Sequence, residues 1–161
     1  MTLSVRHADP ADLPLIAHFI RELADYERLA HEVRFIERTL GEHLFGAHPM
    51  AEVLIGAVDG EPQGYALFVH NFSSFEGRPG VWLEDLFVRE AARGQGLGTA
   101  LLAALARLAV ERGCARLEWS VLDWNAPSIA FYETLGARAL SQWKAMRVEG
   151  EALHRLGEAY G

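Results

Sequence analysis

Hydrophobic and polar residues follow two different rhythms along this chain, and the change from one to the other separates helix from strand. Residues 4–8 read as a short first strand, and Asp9-Pro10 then supplies a capping acid followed by a proline suited to a first helical turn. Leu13, Ile16, Ile20 and Leu23 recur at intervals of three and four, which predicts one buried helical face. Pro14 sits awkwardly in that pattern and leaves open a start at Asp12. A second helix is predicted over 32–44, ending before the loop Gly46-Ala47-His48-Pro49. From residue 51 the period shortens. Residues 51–58 and 63–70 read as strands joined by Asp59-Gly60, a strong two-residue hairpin signal. Residues 81–88, Val-Trp-Leu-Glu-Asp-Leu-Phe-Val, form a largely continuous apolar run, as expected of a strand covered on both faces. A helix over 97–112 buries Leu97, Leu101, Leu105 and Leu108 and stops at Gly113. Residues 116–122 read as a strand, 126–135 as a helix stopped by Gly136, and 144–148 as a last strand. The order βααββ-βαβαβ predicts an α/β (α+β) fold, a mixed central sheet flanked by helices.

Composition narrows the function. At 161 residues, with no repeat or linker-like tract, the chain is expected to be a single domain spanning 1–161. Hydrophobic residues at 50% and charged residues at 23% describe an ordinary folded, soluble mixture. A formal charge of −7 argues against a nucleic-acid surface, which needs clustered Lys and Arg, and is compatible with a cationic small substrate. The one cysteine, Cys114, can form no internal disulfide, and the first residues lack the features of a signal peptide, so a cytoplasmic protein is expected. No apolar run reaches about 18 residues, so no membrane span is expected.

The chemistry concentrates in Arg93-Gly94-Gln95-Gly96-Leu97-Gly98-Thr99, between a buried strand and a helix. Glycine lets a backbone approach a ligand closely, and the first amides of the helix lack intrahelical acceptors. Together they predict a seat for a diphosphate. A nucleotide P-loop is excluded because the Gly-Lys-Ser/Thr ending is absent. The dinucleotide fingerprint is disfavoured because the third glycine falls one residue early and the loop lies past the chain's middle. A tight turn with no ligand is the remaining alternative on the loop alone.

Arg93-x-x-Gly96-x-Gly98 resembles the coenzyme A motif of the Gcn5-related N-acetyltransferases. A second motif of that family appears as Asn125-Ala126-Pro127-Ser128-Ile129-Ala130-Phe131-Tyr132, followed by Leu135-Gly136-Ala137. Four further segments resemble its diamine (spermidine/spermine) branch: Glu22-Leu23-Ala24-x-Tyr26-Glu27, Phe45-Gly46-x-His48-Pro49, Leu83-Glu84-Asp85-x-Phe87-Val88 and Trp124-Asn125-x-Pro127-Ser128. Where the animal enzymes carry basic residues after the Phe-Tyr pair, this chain has Glu133-Thr134-Leu135.

The resemblance implies an acetyl-CoA-dependent N-acetyltransferase acting on a primary amine of a polyamine, a diamine or a lysine-like amino acid such as thialysine. It implies a homodimer as well. Amides of Gly94, Gln95, Gly96, Leu97, Gly98 and Thr99, with Arg93, would seat the pyrophosphate, and backbone groups of Leu86, Phe87 and Val88 would line the pantetheine. Asn125 and Ser128 read both as coenzyme contacts and as cap and first-turn residues of their helix. Tyr132 is the expected general acid, since a phenol with an ordinary pKa near ~10 is neutral at pH 7 and can donate to the departing sulfur. Glu84 and Asp85 lie among apolar neighbours, and burying a carboxylate is costly without a task or a partner. Strand alternation sends them to opposite faces, so only one is expected to look into the site. The resemblance favours Glu84 as base, through a water, with Asp85 aiding substrate binding; a structural salt bridge is the alternative. Tyr26, Glu27, Trp119 and Trp143 are candidate walls for an ammonium group. Seven histidines without H-E-x-x-H spacing and a lone cysteine predict no metal site. Two rivals stay open: the same chemistry on a protein lysine or N-terminus, and a non-catalytic acyl-CoA-binding regulatory module.

Overall fold

Strands that follow one another in the chain also lie side by side. In the computed structural model, which describes residues 1–159, β1 (Leu3–His7), β2 (Glu52–Val58), β3 (Glu61–Ser73), β4 (Arg78–Val88) and β5 (Leu117–Trp119) form one sheet in that order. The first four pair antiparallel and β5 joins β4 in parallel, which makes the sheet mixed, as the pattern predicted. A parallel joint needs a crossover, and α3 (Leu97–Glu111) supplies it. At the β2–β3 turn Asp59 (φ 49°) and Gly60 (φ 82°) both adopt positive φ, the twist-matched hairpin geometry that the dipeptide signalled. The chain divides into two compact units, Met1–Ser120, which holds the whole sheet, and Val121–Gly161. No helix among the described residues is long and apolar enough to cross a membrane.

Within the first unit, helices cover both faces of the sheet. The Asp9 side chain accepts from the Ala11 amide at 2.9 Å while the Asp12 carboxylate accepts from the Asp9 amide at 2.8 Å. That reciprocal cap closes one short turn, Pro10–Asp12, and α1 (Leu13–Tyr26) then starts with Pro14 in its first turn, where the missing N–H costs nothing. The second helix is shorter than predicted, α2 (Glu37–Phe45), because extended backbone at Val33 and Ile36 separates it from a turn at Ala30–Glu32. Ile16, Phe19 and Leu23 of α1 and Leu44 of α2 pack on Val53, Ile55, Tyr65, Leu67 and Phe87 of the sheet. The other face receives Leu97, Leu101 and Leu105 of α3, all fully buried. There α3 rides directly on the backbone of β2: a Cβ on Gly56 would come within 2.9 Å of the Leu97 side chain.

One irregularity in β4 matters for the site. Phe68 pairs with Leu83 but Leu67 pairs with Asp85, so Glu84 is an extra residue with no partner on β3. The bulge resets the alternation. Leu83 follows Phe68 to one face, and Asp85 follows Leu67 to the face covered by α1. Trp82 pairs with Val69, on that same α1 face, and its indole N–H donates to Glu84 Oε2 at 3.1 Å. Glu84 and Asp85 therefore share a face, which corrects the expectation of opposite faces.

The second unit holds α4 (Ala126–Thr134) and α5 (Gly150–Ala159). The strand expected at 144–148 is absent: the segment lies outside regular structure and is exposed throughout, with Met146 90% accessible. A strand is held by its ladder, and among the described residues no neighbour offers this segment one. The segment leads instead into α5, whose Leu153 and Leu156 stand three apart on one side.

Candidate functional site

The glycine loop ends in backbone that only glycine adopts without strain. Gly94 has φ 78° and Gly96, the residue capping α3, has φ 91°. Gly96 offers no side chain to the helix, and the first intrahelical bond runs from the Ala100 amide to the Gly96 carbonyl at 2.9 Å. The amides of Leu97, Gly98 and Thr99 thus precede the intrahelical ladder, at the positive end of a helix with no acid in its first turn. Leu97 itself is buried in the core, so its contribution here is its amide. Gln95 is half-buried and Thr99 exposed. The Arg93 guanidinium lies over the Tyr26 ring at 4.7 Å and the Phe87 ring at 5.9 Å, and its Nε–H donates to the Val88 carbonyl at 2.8 Å. One arginine thus ties the start of the loop to the end of α1 and the end of β4.

Next to the loop, β4 is paired on one side only. β5 follows it for three residues, Val81–Leu83 against Leu117–Trp119, whereas β3 stays with β4 to Val88. From the bulge onward, the main chain at Leu86, Phe87 and Val88 has no strand beside it on the β5 side among the described residues. An extended, hydrogen-bonding ligand can complete such an edge as an added strand would.

Acidic groups gather on the α1 face at the same end of β4. Asp85 Oδ2 accepts from the Tyr65 hydroxyl at 2.9 Å. Burial raises the Asp85 carboxyl to about 6, with the like charges of Glu84 and Glu27 adding to the rise and the Tyr65 bond opposing it. Glu27, half-buried just past the end of α1, is itself pushed up by burial. Burial also raises the Tyr65 phenol well above its ordinary value, with Asp85 beside it contributing. Glu84 is exposed and held by Trp82. Tyr26, Glu27, Glu84, Asp85, Phe87 and Arg93 are thus brought together. Trp119 is not: it pairs with Leu83, which puts it on the α3 face, opposite Asp85.

In the second unit, Asn125 is buried and caps α4, its Oδ1 accepting from the Ser128 amide at 3.3 Å. The structure therefore gives Asn125 and Ser128 the capping role that the sequence suggested. Tyr132 is half-buried two turns on, its ring 5.4 Å from that of Phe131. The helix ends as Gly136 predicted, with the Gly136 amide on Glu133 O and the Ala137 amide on Tyr132 O. Trp143 lies in the exposed segment before α5, 73% accessible.

Sequence reasoning missed Tyr65. A tyrosine in an apolar strand reads as core, and only its register beside Phe87, diagonal to Asp85, gives it a polar partner. No three His, Cys, Asp or Glu side chains among the described residues are grouped to hold a metal ion.

Comparison with known proteins adds the family. The family described as Acetyltransferase (GNAT) matches residues 17–137. A thialysine N-epsilon-acetyltransferase of Sus scrofa is 37% identical over 94% of this chain and 95% of its own length. An L-ornithine N5-acetyltransferase of Arabidopsis thaliana is 30% identical over 94% of this chain and 86% of its own. Among solved structures, an integron cassette protein from the mobile metagenome of V. cholerae superposes with a TM-score of 0.80 at 28% identity, covering 98% of this chain and 99% of that one.

Proposed function

The chain belongs to the acetyltransferase (GNAT) family and is an N-acetyltransferase, and on that premise we propose that its acceptor is a small cationic primary amine. The acceptor is a polyamine, a diamine or a lysine-like amino acid such as thialysine. The observation that carries this reading is the gathering of Glu27, Glu84 and Asp85 on the α1 face beside the unpaired end of β4, with Asp85 raised to about 6 by burial and its like-charged neighbours. An ammonium group adds positive charge to such a cluster, since Arg93 beside it is engaged by the Val88 carbonyl and the Tyr26 and Phe87 rings. The names of the thialysine and ornithine enzymes point the same way, toward an amino acid with a terminal amine.

The family uses acetyl-CoA, and the residues present suit it. The main-chain amides from Gly94 to Thr99 lie at a helix N-terminus with left-handed glycines and no acid in the first turn, which fits a pyrophosphate. Arg93 adds charge to that seat, and the free edge of Leu86, Phe87 and Val88 fits an extended arm with amide groups. Asn125 and Ser128 add polar contacts from α4. When bound, acetyl-CoA supplies an acyl carbon activated as a thioester.

Each remaining need of the reaction falls to a named side chain. Glu84 removes a proton from the arriving ammonium through a water, while Asp85 and Glu27 hold the cation against the wall made by Tyr26. A backbone amide of the β4 edge stabilises the charge that develops on the carbonyl oxygen. Tyr132 donates its phenolic proton to the departing sulfur. Residues 1–161 act as one N-acetyltransferase domain, in a cytoplasmic homodimer.

Thiol release measured over a panel of amines, with thialysine, ornithine, diamines, polyamines and a lysine-bearing peptide, tests the acceptor class. Small diamines or lysine-like amino acids are expected to give the highest kcat/KM. Preference for the peptide, or for an uncharged amine, would overturn it.

A further inference from the structure

Tyr65 belongs to none of the motifs quoted above, yet it is the one hydroxyl among the largest fully buried side chains of the described residues. Its ring is stacked on Phe19 with centroids 5.5 Å apart and planes 5° from parallel, and its strand neighbours are Ile55 on β2 and Phe87 on β4. A phenylalanine would fill that slot equally well, so packing alone leaves the hydroxyl unexplained, and burying a hydroxyl costs free energy unless it is hydrogen-bonded. The hydroxyl donates to Asp85 Oδ2 at 2.9 Å. Among the described residues, no hydrogen bond reaches Asp85 Oδ1. Because no fully buried side-chain oxygen or nitrogen among the described residues lacks a partner, Oδ1 keeps access to solvent. One carboxylate oxygen is therefore locked and the other open. The groups that shift Asp85 are Tyr65 on β3, Glu84 on its own strand and Glu27 beyond α1, while the arginines packed nearby are engaged elsewhere, Arg93 by the Val88 carbonyl and the Phe87 ring and Arg89 by Glu22 and the Phe19 ring.

We propose that Tyr65 is a positioning residue of the transfer reaction: by holding Asp85 Oδ2 in a rigid ring stack, it presents Oδ1 to the ammonium group of the acceptor. This role rests on the acetyl-transfer reading of the site and deepens it. The stacked ring can barely shift, so the hydroxyl fixes the direction of the open oxygen and with it the line along which the amine enters. The same bond favours the charged carboxylate that attracts the amine.

The test compares wild type, Tyr65→Phe, Asp85→Asn and the double variant, following thiol release with the best amine of the panel across pH. Tyr65→Phe is expected to lower kcat/KM for the amine roughly 10–100-fold, the range for losing a hydrogen bond to a charged group, while KM for acetyl-CoA stays within about twofold. Its acidic limb is expected to move to higher pH, because a carboxylate without its donor protonates sooner. In the Asp85→Asn background the same substitution should cost less than about threefold, as coupled neighbours require. Equal losses in both backgrounds, or an unmoved limb, would overturn the proposal while leaving acetyl transfer intact. A wild type that acetylates no amine would overturn both. Should Tyr65→Phe fail to fold, fluorotyrosine at position 65 keeps the ring and strengthens the donor. It should move the acidic limb to lower pH, and an unmoved limb there counts against the proposal.

Discussion

Asp85→Asn should make the folded protein more stable at neutral pH even as it damages catalysis. Burial and the neighbouring carboxylates raise Asp85 from 3.8 to about 6 in the native state. Between those two values the native protein keeps a proton that the unfolded chain has released, so stability falls as pH rises through that window. Above it the difference is constant. Two pH units at 1.36 kcal/mol each give about 3 kcal/mol of destabilisation from the charged form. The solvent-facing Oδ1 screens part of this, so about 1–3 kcal/mol is expected. Asparagine keeps an acceptor for the Tyr65 hydroxyl but does not ionise. In urea titrations, Asp85→Asn should therefore exceed wild type by about 1–3 kcal/mol near neutral pH and converge with it near pH ~4, at unchanged m. Thermal melts should separate by several degrees, at about 2–4 °C per kcal/mol for a chain of this size. Parallel stability curves across this range, or a variant weaker than wild type at neutral pH, would show that Asp85 carries no buried-charge cost. The result expected here is a stability sacrificed at a functional site.

Three further outcomes follow from the geometry. Gly96→Ala places a side chain at φ 91°, costing about 1–2 kcal/mol in unfolding experiments, and calorimetry should show at least severalfold weaker coenzyme binding; unchanged affinity would detach the loop from the coenzyme. Phe19→Ala removes a fully buried ring stacked on Tyr65 and capped by the Arg89 guanidinium at 4.7 Å. It should cost about 3–5 kcal/mol by denaturant titration, and a loss under about 1 kcal/mol would mean the site had collapsed around the gap. Tyr132→Phe should lower kcat roughly 10–1000-fold with coenzyme affinity nearly unchanged, and an unaltered kcat removes the phenol from the reaction.

What could be read along the chain was what depends on near neighbours. Asp9 with Pro10, Asp59-Gly60, Gly94 and Gly96, and the stop at Gly136 all act within a turn or two, and each lies where its local chemistry put it. The two family motifs were legible for the same reason, being short runs whose backbone demands are local. Pairing decided the rest. Whether residues 144–148 form a strand depends on a neighbour that the segment does not contain, and none among the described residues pairs with it. The bulge at Glu84 is invisible in an apolar run, because an extra residue appears only when β3 is laid against β4. That single slip moves Glu84 and Asp85 to one face and brings Asp85 within reach of Tyr65, twenty residues earlier in the chain. Periodicity assigns a residue to an element; only contact between elements assigns it a partner, and a carboxylate's protonation and direction come from its partners.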